Sequence, residues 1–400
     1  MKRSYASRIS VLSLVSVVAV AGVYGCEKPR SEPAPTTTPA AAPSPELRSG
    51  TMTGNDGKPM ATATTAMTAT ETKVKDPLAA ADADMKKVLE QLGTLGGKPL
   101  ETLSAEEARK QPTPADAVKA LLTKDGKSIA PMEVGKVEDR KIPGAAGPIA
   151  VRIVTPKKGD ATKPMPVIVY FHGGGWVIAS NDVYDSSIRA LANKAGAKVV
   201  AVEYRMAPEN KFPAQHDDAL ASYEWVLKNA ASFGGDPKRV AVAGESAGGN
   251  LAANVSIAAR DKGIQMPVHE LLVYPIASTS MDTQSYREWA KAKPLSKDMM
   301  GWFFDKSERT PADAKDTRLD LVNAKLTGLP PTTIVLAEID PLHAEGEMLG
   351  KKLKEAGVDV DMKTYDGVTH EFFGMGAAVG DAKDAMDYAG GRLEKALKPR

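Results

Sequence analysis

The pattern of apolar positions changes character along the chain. Ile9 to Val23 is a short, unbroken apolar run behind the cations Lys2, Arg3 and Arg8. From Glu27 to about Lys75 large apolar residues nearly vanish among Pro, Thr, Ala and Ser. Beyond that point they recur with the periods of regular structure. Leu78, Met85, Val88, Leu89 and Leu92 keep helical spacing, Ser104-Ala105-Glu106-Glu107 is a capping box, and Pro114 to Leu122 is amphipathic. Val134 to Ile142 and Ile149 to Val154 predict a hairpin across a Gly/Pro turn. Further strand signals are Pro166 to Phe171, Val199 to Tyr204, Val240 to Ala243, Leu271 to Tyr274, Thr333 to Glu338 and Asp361 to Tyr365. Several are apolar throughout, as parallel strands covered on both faces must be. Helical segments Ile188 to Ala195, Asp217 to Asn229 and Leu251 to Ala259 alternate with them. The alternation predicts an α/β fold with a mostly parallel, doubly wound sheet. Met281 to Arg318 breaks the rhythm, and its Trp289, Trp302, Phe303 and Phe304 predict cap helices over the sheet's active edge. The helices expected between about 77 and 125 either pad the edge or join that cap.

A chain of 400 residues with 42% hydrophobic and 26% charged residues has the composition of a globular protein with a large core. Net charge is +2 with both signs interspersed, so no basic stripe offers itself to nucleic acid. The positive n-region and the apolar run of signal-peptide length predict export, with residues 1–25 as the signal. Val23-Tyr24-Gly25-Cys26 resembles a bacterial lipoprotein signal, in which the cysteine after the cut is lipidated; a plain secretory signal is the alternative. Cys26 is the sole cysteine, so no internal disulfide is expected in an oxidising compartment. The 26–75 segment cannot bury enough surface to offset its ordering entropy and is expected to be a disordered tether, with the folded domain at 76–400. Oligomeric state is not legible.

The chemistry is carried by short segments in order: His172-Gly173-Gly174-Gly175-Trp176, Gly244-Glu245-Ser246-Ala247-Gly248-Gly249, Asp340-Pro341-Leu342 and His370-Glu371-Phe372. Ser246 lies in G-x-S-x-G, a tight strand-to-helix turn that exposes a hydroxyl. A phosphate-binding turn is the rival reading, but no Lys-Ser/Thr follows the glycines as a P-loop requires. A serine hydroxyl is a weak nucleophile until a base takes its proton. Of the five histidines, His370 follows the last expected strand and a turn at Gly367. His172 is expected to order its loop, His216 and His269 to be ordinary surface or helix residues, and His343 to lie too close along the chain to Asp340. Asp340 would accept the other imidazole N–H, while also capping the helix after Pro341. Successive N–H groups of Gly173, Gly174 and Gly175, with that of Ala247, would face the oxyanion of a tetrahedral intermediate. The scattered histidines show no metal spacing, and no metal or cofactor site is expected. Arg205, Glu209 and Asp217 are expected to form a structural ion-pair network.

With the run Glu203-Tyr204-Arg205-Met206-Ala207-Pro208-Glu209, these segments make the chain resemble the hormone-sensitive-lipase-like (bacterial family IV) esterases from roughly Leu100 to Leu393. The resemblance implies an α/β-hydrolase domain with a helical cap, free of cofactors, that hydrolyses short- to medium-chain carboxylic esters as small-molecule substrates. It implies Ser246 as nucleophile, Asp340 as acid, His370 as base, and the glycine loop with Ala247 as oxyanion hole. Glu245 and Glu203 stand where the family usually has Asp, and His343-Ala344-Glu345-Gly346 replaces its Arg-Asp-Glu-Gly. An envelope polysaccharide deacetylase, a peptidase on the same triad and a non-catalytic ligand-binding relative are the competing readings.

Overall fold

The computed structural model describes residues 73–159 and 162–399. The expected signal, Cys26 and most of the tether lie outside them. The folded body already includes Lys75, whose N–H donates to Glu288 C=O at 2.8 Å and whose ammonium pairs with the Glu288 carboxylate at 2.8 Å. The folded domain, expected to begin at residue 76, therefore takes in Lys75 as well, because this lysine finds both a backbone and a charged partner.

Four helices come first: α1 (Pro77–Ala80), α2 (Ala83–Thr94), α3 (Ala105–Ala108) and α4 (Pro114–Lys124). The Ser104–Glu107 capping box starts α3, and a second box, Thr113–Asp116, starts α4 with Pro114 in its first turn. The hairpin of β1 (Lys136–Gly144) and β2 (Gly147–Thr155) is antiparallel and closes tightly at Gly144 and Gly147. Then β3 (Met165–Phe171), α5 (Asp185–Ala195), β4 (Lys198–Glu203), α6 (Ala214–Asn229), β5 (Gly235–Glu245), α7 (Ala247–Lys262) and β6 (Glu270–Val273) alternate. Two short helices, α8 (Gln284–Glu288) and α9 (Lys297–Ser307), occupy the aromatic insertion. The chain ends with β7 (Thr332–Ile339), α10 (His343–Glu355), β8 (Val360–Thr369) and α11 (Gly380–Ala396).

The strands form one eight-stranded sheet in the order β1-β2-β4-β3-β5-β6-β7-β8, parallel from β4 to β8. Alternate residues of a strand face opposite sides, and the core divides accordingly. Val167, Val169 and Phe171 of β3 belong to the buried cluster on the side of α6, α7 and α10, whereas Ile168 and Tyr170 belong to the one on the side of α5, α11, α2 and α4. Burial on both sides is why these strands read as continuous apolar runs. From β3 the chain steps outward to β4 and then returns past β3 to β5. The strand order therefore reverses between β3 and β5, and a crevice opens at their carboxyl ends, where open α/β sheets bind ligands.

The last strand departs from expectation. It does not stop at Tyr365 before a turn but continues to Thr369, and the register with β7 slips between Ala337 and Ile339. Gly367 sits in the slip with φ +66° and donates its N–H to the Glu338 carboxylate at 2.9 Å. A bulge re-aims the residues beyond it, here delivering His370 toward the end of β7.

Helix α10 rides close on the sheet through two glycines one turn apart. A Cβ at Gly346 would lie 2.5 Å from Leu336 Cδ2, and one at Gly350 2.6 Å from Met362 Sδ. Gly346→Ala is expected to lose about 1–2 kcal/mol by urea denaturation, overpacking outweighing the gain in helix propensity. In a Leu336→Ala background, itself about 2–5 kcal/mol less stable, the same change should become neutral or stabilising. Simple additivity would show that α10 does not rest on Leu336.

Candidate active site

Ser246 is the residue between β5 and α7, with φ +56° and ψ −118°. A non-glycine residue there is strained, and the surroundings enforce it. Its N–H donates to Val273 C=O at 2.9 Å, and its C=O accepts from the N–H groups of Asn250 and Ile276, each at 3.2 Å. The flanking glycines are required by backbone contact. A Cβ at Gly244 would lie 2.1 Å from Gly248 O, and one at Gly248 would lie 2.0 Å from Phe171 O. The turn thus packs on the end of β3, beside the glycine loop.

In that loop Gly174 and Gly175 have φ +94° and +58°. Closeness to a ligand is not their only demand: a Cβ on Gly174 would strike Ile178 O at 2.3 Å, and one on Gly175 the Phe303 ring at 2.2 Å. Gly174 C=O accepts from Val177 and Ile178, closing a turn. Among the described residues, the N–H groups of Gly173, Gly174, Gly175 and Ala247 meet no acceptor. Gly174, Gly175 and Ser246 line one cavity, whereas Gly173 is packed beneath the Tyr184 hydroxyl and does not reach its wall. His172 is buried, with Nδ1 2.8 Å from Gly173 O and its ring stacked on Tyr204 at 4.4 Å. It orders the loop.

Asp340 and His370, 0% and 2% exposed, come from the ends of β7 and β8. Asp340 Oδ1 accepts from the Leu342 N–H at 2.9 Å, capping the turn into α10, and Oδ2 lies 2.6 Å from His370 Nδ1. The carboxylate accepts, so Nδ1 carries the proton and Nε2 is left as the basic nitrogen. Burial alone would push the imidazole pKa down, but Asp340, with Glu371 and Glu245 nearby, outweighs it, and the net direction is upward. His370 also lines the cavity.

Glu245 lies beneath Ser246, 1% exposed, and accepts 2.6 Å hydrogen bonds from the Tyr170 and Tyr274 hydroxyls. Burial pushes its pKa up to about 7, against the pull of those two donors. The Tyr274 ring stands 4.4 Å from the His370 ring, so the clamp on Glu245 also backs the imidazole.

Some expectations need correction. His216 is a helix residue, on α6, but not a surface one, and His269 is neither. Both are buried, at 6% and 2% exposure, bonded to Asn250 Oδ1 and Thr333 Oγ1, and pushed down to about 4 chiefly by burial. Arg205, Glu209 and Asp217 are not ion-paired with one another, although the Asp217 charge is felt by Arg205. Arg205 grips the buried Asp218 at 2.8 Å, Glu209 pairs with Arg109 at 2.7 Å, and Asp217 faces outward on α6. Helical geometry explains the exchange, since neighbouring positions on α6 point about 100° apart. Arg109 escaped sequence reasoning altogether. It donates to Val177 O at 2.8 Å and Ala207 O at 2.7 Å, tying the N-terminal helices to the glycine loop. Only its neighbouring capping box signalled that this segment was ordered.

Residues 168–374 match a protein-family model described as the alpha/beta hydrolase fold. The chain is 32% identical over 304 residues to an ethyl acetate hydrolase of Pseudomonas putida, covering 74% of this chain and 93% of that protein. It is 39% identical over 237 residues to carboxylesterase NlhH of Mycobacterium tuberculosis, covering 58% and 74%. Among solved structures, a hyperthermophilic esterase from the archaeon Pyrobaculum calidifontis superposes with TM-score 0.72 at 34% identity, over 79% of this chain and 98% of that one. A thermostable esterase from Pseudomonas putida ECU1011 gives TM-score 0.72 at 33% identity, over 80% and 99%.

The pH dependence of Ser246 follows from the Asp340–His370 pair. His370 must be neutral to take a proton, so reactivity is lost as pH falls through its raised pKa. The rate of Ser246 labelling by a fluorophosphonate should show an acid limb above the ordinary imidazole value of about 6.5. Asp340→Asn should slow labelling by about 10³–10⁴ and move the limb to lower pH. A limb that stays in place in Asp340→Asn would mean that another group governs Ser246.

Proposed function

We propose, from the premise that this chain belongs to the alpha/beta hydrolase family in its hormone-sensitive-lipase-like branch, that it hydrolyses short- to medium-chain carboxylic esters through a serine acyl-enzyme. The observation that carries this reading is the convergence on one cavity wall of the Ser246 turn, the glycine loop with free N–H groups, and the Asp340-paired His370. In the reaction, Ser246 Oγ bonds to the ester carbonyl carbon as its proton passes to His370 Nε2. The N–H groups of Gly174, Gly175 and Ala247 would hold the oxyanion, each worth roughly 3 kcal/mol of barrier. The carbon–alkoxy bond then breaks, and the alcohol leaves with the proton from His370. Water, deprotonated by the same imidazole, attacks the acyl-enzyme and frees the acid and Ser246.

The cavity supports the substrate class. It encloses about 440 Å³, within the ~300–1,000 Å³ of small-molecule sites. Its apolar walls include Leu89 and Leu92 of α2, Ile178 and Val183 after the glycine loop, and Met299 and Phe303 of α9. Trp302 donates to Leu103 O at 3.1 Å, joining α9 to the N-terminal segment, so both contribute to one roof. A cavity of this size and polarity suits an acyl chain of a few carbons.

We further propose that the protein is exported and held at the periplasmic face of a membrane by lipid on Cys26. The support is the sequence alone: the charged n-region, the apolar run, the sole cysteine and the Pro/Thr/Ala-rich spacer. Stable anchoring needs more than one acyl chain, which a multiply acylated cysteine supplies. Glu27 in place of Asp after the cysteine favours the outer membrane by resemblance to lipoprotein sorting.

Esters of graded acyl length should be cleaved fastest at two to about six acyl carbons. Ser246→Ala should reduce turnover by several orders of magnitude and abolish the phosphonate adduct. Full activity in Ser246→Ala would refute the assignment.

Detergent partition of cell fractions tests the anchor. Wild type should enter the detergent phase and Cys26→Ser the soluble periplasm; equal solubility of both would leave a plain secreted enzyme.

A further inference from the structure

Glu371, the residue after the base, helps raise the His370 pKa but takes no bond-making or proton-transfer part in the reaction described above. Its backbone is left-handed, φ +69° and ψ +2°, a conformation that non-glycine residues seldom adopt. Glycine would take it freely, so keeping a side chain here carries a backbone cost. The carboxyl is fixed on one side only. Oε1 accepts a 2.6 Å hydrogen bond from the Tyr184 hydroxyl, and Tyr184 is itself wedged against Gly173, where a Cβ would lie 2.2 Å from the phenol oxygen. Oε2 accepts no hydrogen bond from the described residues. Tyr184 and Glu371 line the same cavity as Ser246 and His370. A carboxylate with one oxygen left without a hydrogen bond thus stands in the wall of a mostly apolar cavity that Ser246 and His370 also line.

The chemistry determines which part of an ester passes this oxygen. His370 hands its proton to the leaving oxygen, so the alkoxy side of the substrate must lie against the imidazole. Glu371 lines the same cavity as the imidazole, and on this reading its side chain meets that alkoxy group. We propose that Glu371 is a specificity-determining residue whose Oε2 accepts a hydrogen bond from a hydroxyl or ammonium group on the alcohol part of the ester, so that the enzyme favours esters of polyols or amino alcohols over esters of plain alkanols. The inference rests on the esterase reading above. Burial pushes the Glu371 carboxyl pKa up, while His370 and the Tyr184 hydroxyl oppose that rise. The tyrosine therefore both aims the group and favours its ionised form.

The test compares kcat/KM for propyl butyrate, 2-hydroxyethyl butyrate and 2-(dimethylamino)ethyl butyrate in the full-length protein. Wild type should prefer each donor-bearing ester over propyl butyrate by about tenfold, the range of a hydrogen bond to a charged acceptor. Glu371→Gly, which relieves the backbone rather than straining it, should bring both ratios near one. Glu371→Gln keeps an acceptor oxygen without charge, so it should retain much of the hydroxyl preference and lose the ammonium preference. Tyr184→Phe should lower both ratios a few-fold by releasing Oε1. Ratios near one in wild type, or ratios unchanged in Glu371→Gly, would overturn the proposal. The latter includes the case where every ester slows together, which would make Glu371 a positioning residue for His370. Failure of the folded wild type to cleave any ester would refute the esterase reading itself, an outcome distinct from altered ratios.

Discussion

A contact between backbones, with no side chain in it, underlies the whole site. The peptide at Gly248 lies against the carbonyl of Phe171, and the one at Gly244 lies against that of Gly248. The end of β3, the end of β5 and the first turn of α7 are therefore pressed together without intervening Cβ atoms. The glycine loop follows β3 and Ser246 follows β5, so this contact sets the distance between the Ser246 hydroxyl and the N–H groups of the loop. A methyl group at either glycine would lift α7 from the sheet and carry Ser246 and the Ala247 N–H with it. The strained φ of Ser246 persists because hydrogen bonds at its N–H and C=O tie it to β6 and to the segment after β6.

Low local polarity then governs the charges. Asp340 and His370 are almost fully buried, where attraction between them is stronger than it would be in water. The same burial penalises acids that lack a cation. Glu245 rises to about 7, and Glu345, fully buried and bonded to the N–H groups of Ala277 and Ser278, is pushed well up. Tyrosines rather than bases satisfy Glu245. Near neutral pH it can therefore carry a proton, which limits the negative charge gathered beneath Ser246. The result is a site in which Asp340 is the carboxylate paired directly with the imidazole.

Much of the fold was legible because burial on both faces of a parallel strand leaves a plain mark. Pro166 to Phe171 and Thr333 to Glu338 read as strands from apolarity alone, and both are strands. The hairpin before β3 was equally clear from its turn. Less legible were features set by facing partners. The bulge at Gly367 depends on Glu338 and on the register with β7. Arg109 looks like any surface arginine until the glycine loop folds beneath it. The burial of His216 rests on Asn250, thirty-four positions away along the chain.

Local sequence was enough to mark the order of Ser246, Asp340 and His370, the glycines that a strained turn requires, and the strand ends that carry them. These are local properties, since a turn type or a buried strand restricts which residue can occupy each position. Tertiary structure alone decided how the parts meet. It placed Asp340 at 2.6 Å from His370, brought Gly174 and Gly175 to the cavity wall while packing Gly173 away under Tyr184, and chose Asp218 over Asp217 as the partner of Arg205. Such pairings depend on helix phase, strand register and the packing of elements far apart in the chain, and no local pattern encodes a distance between them.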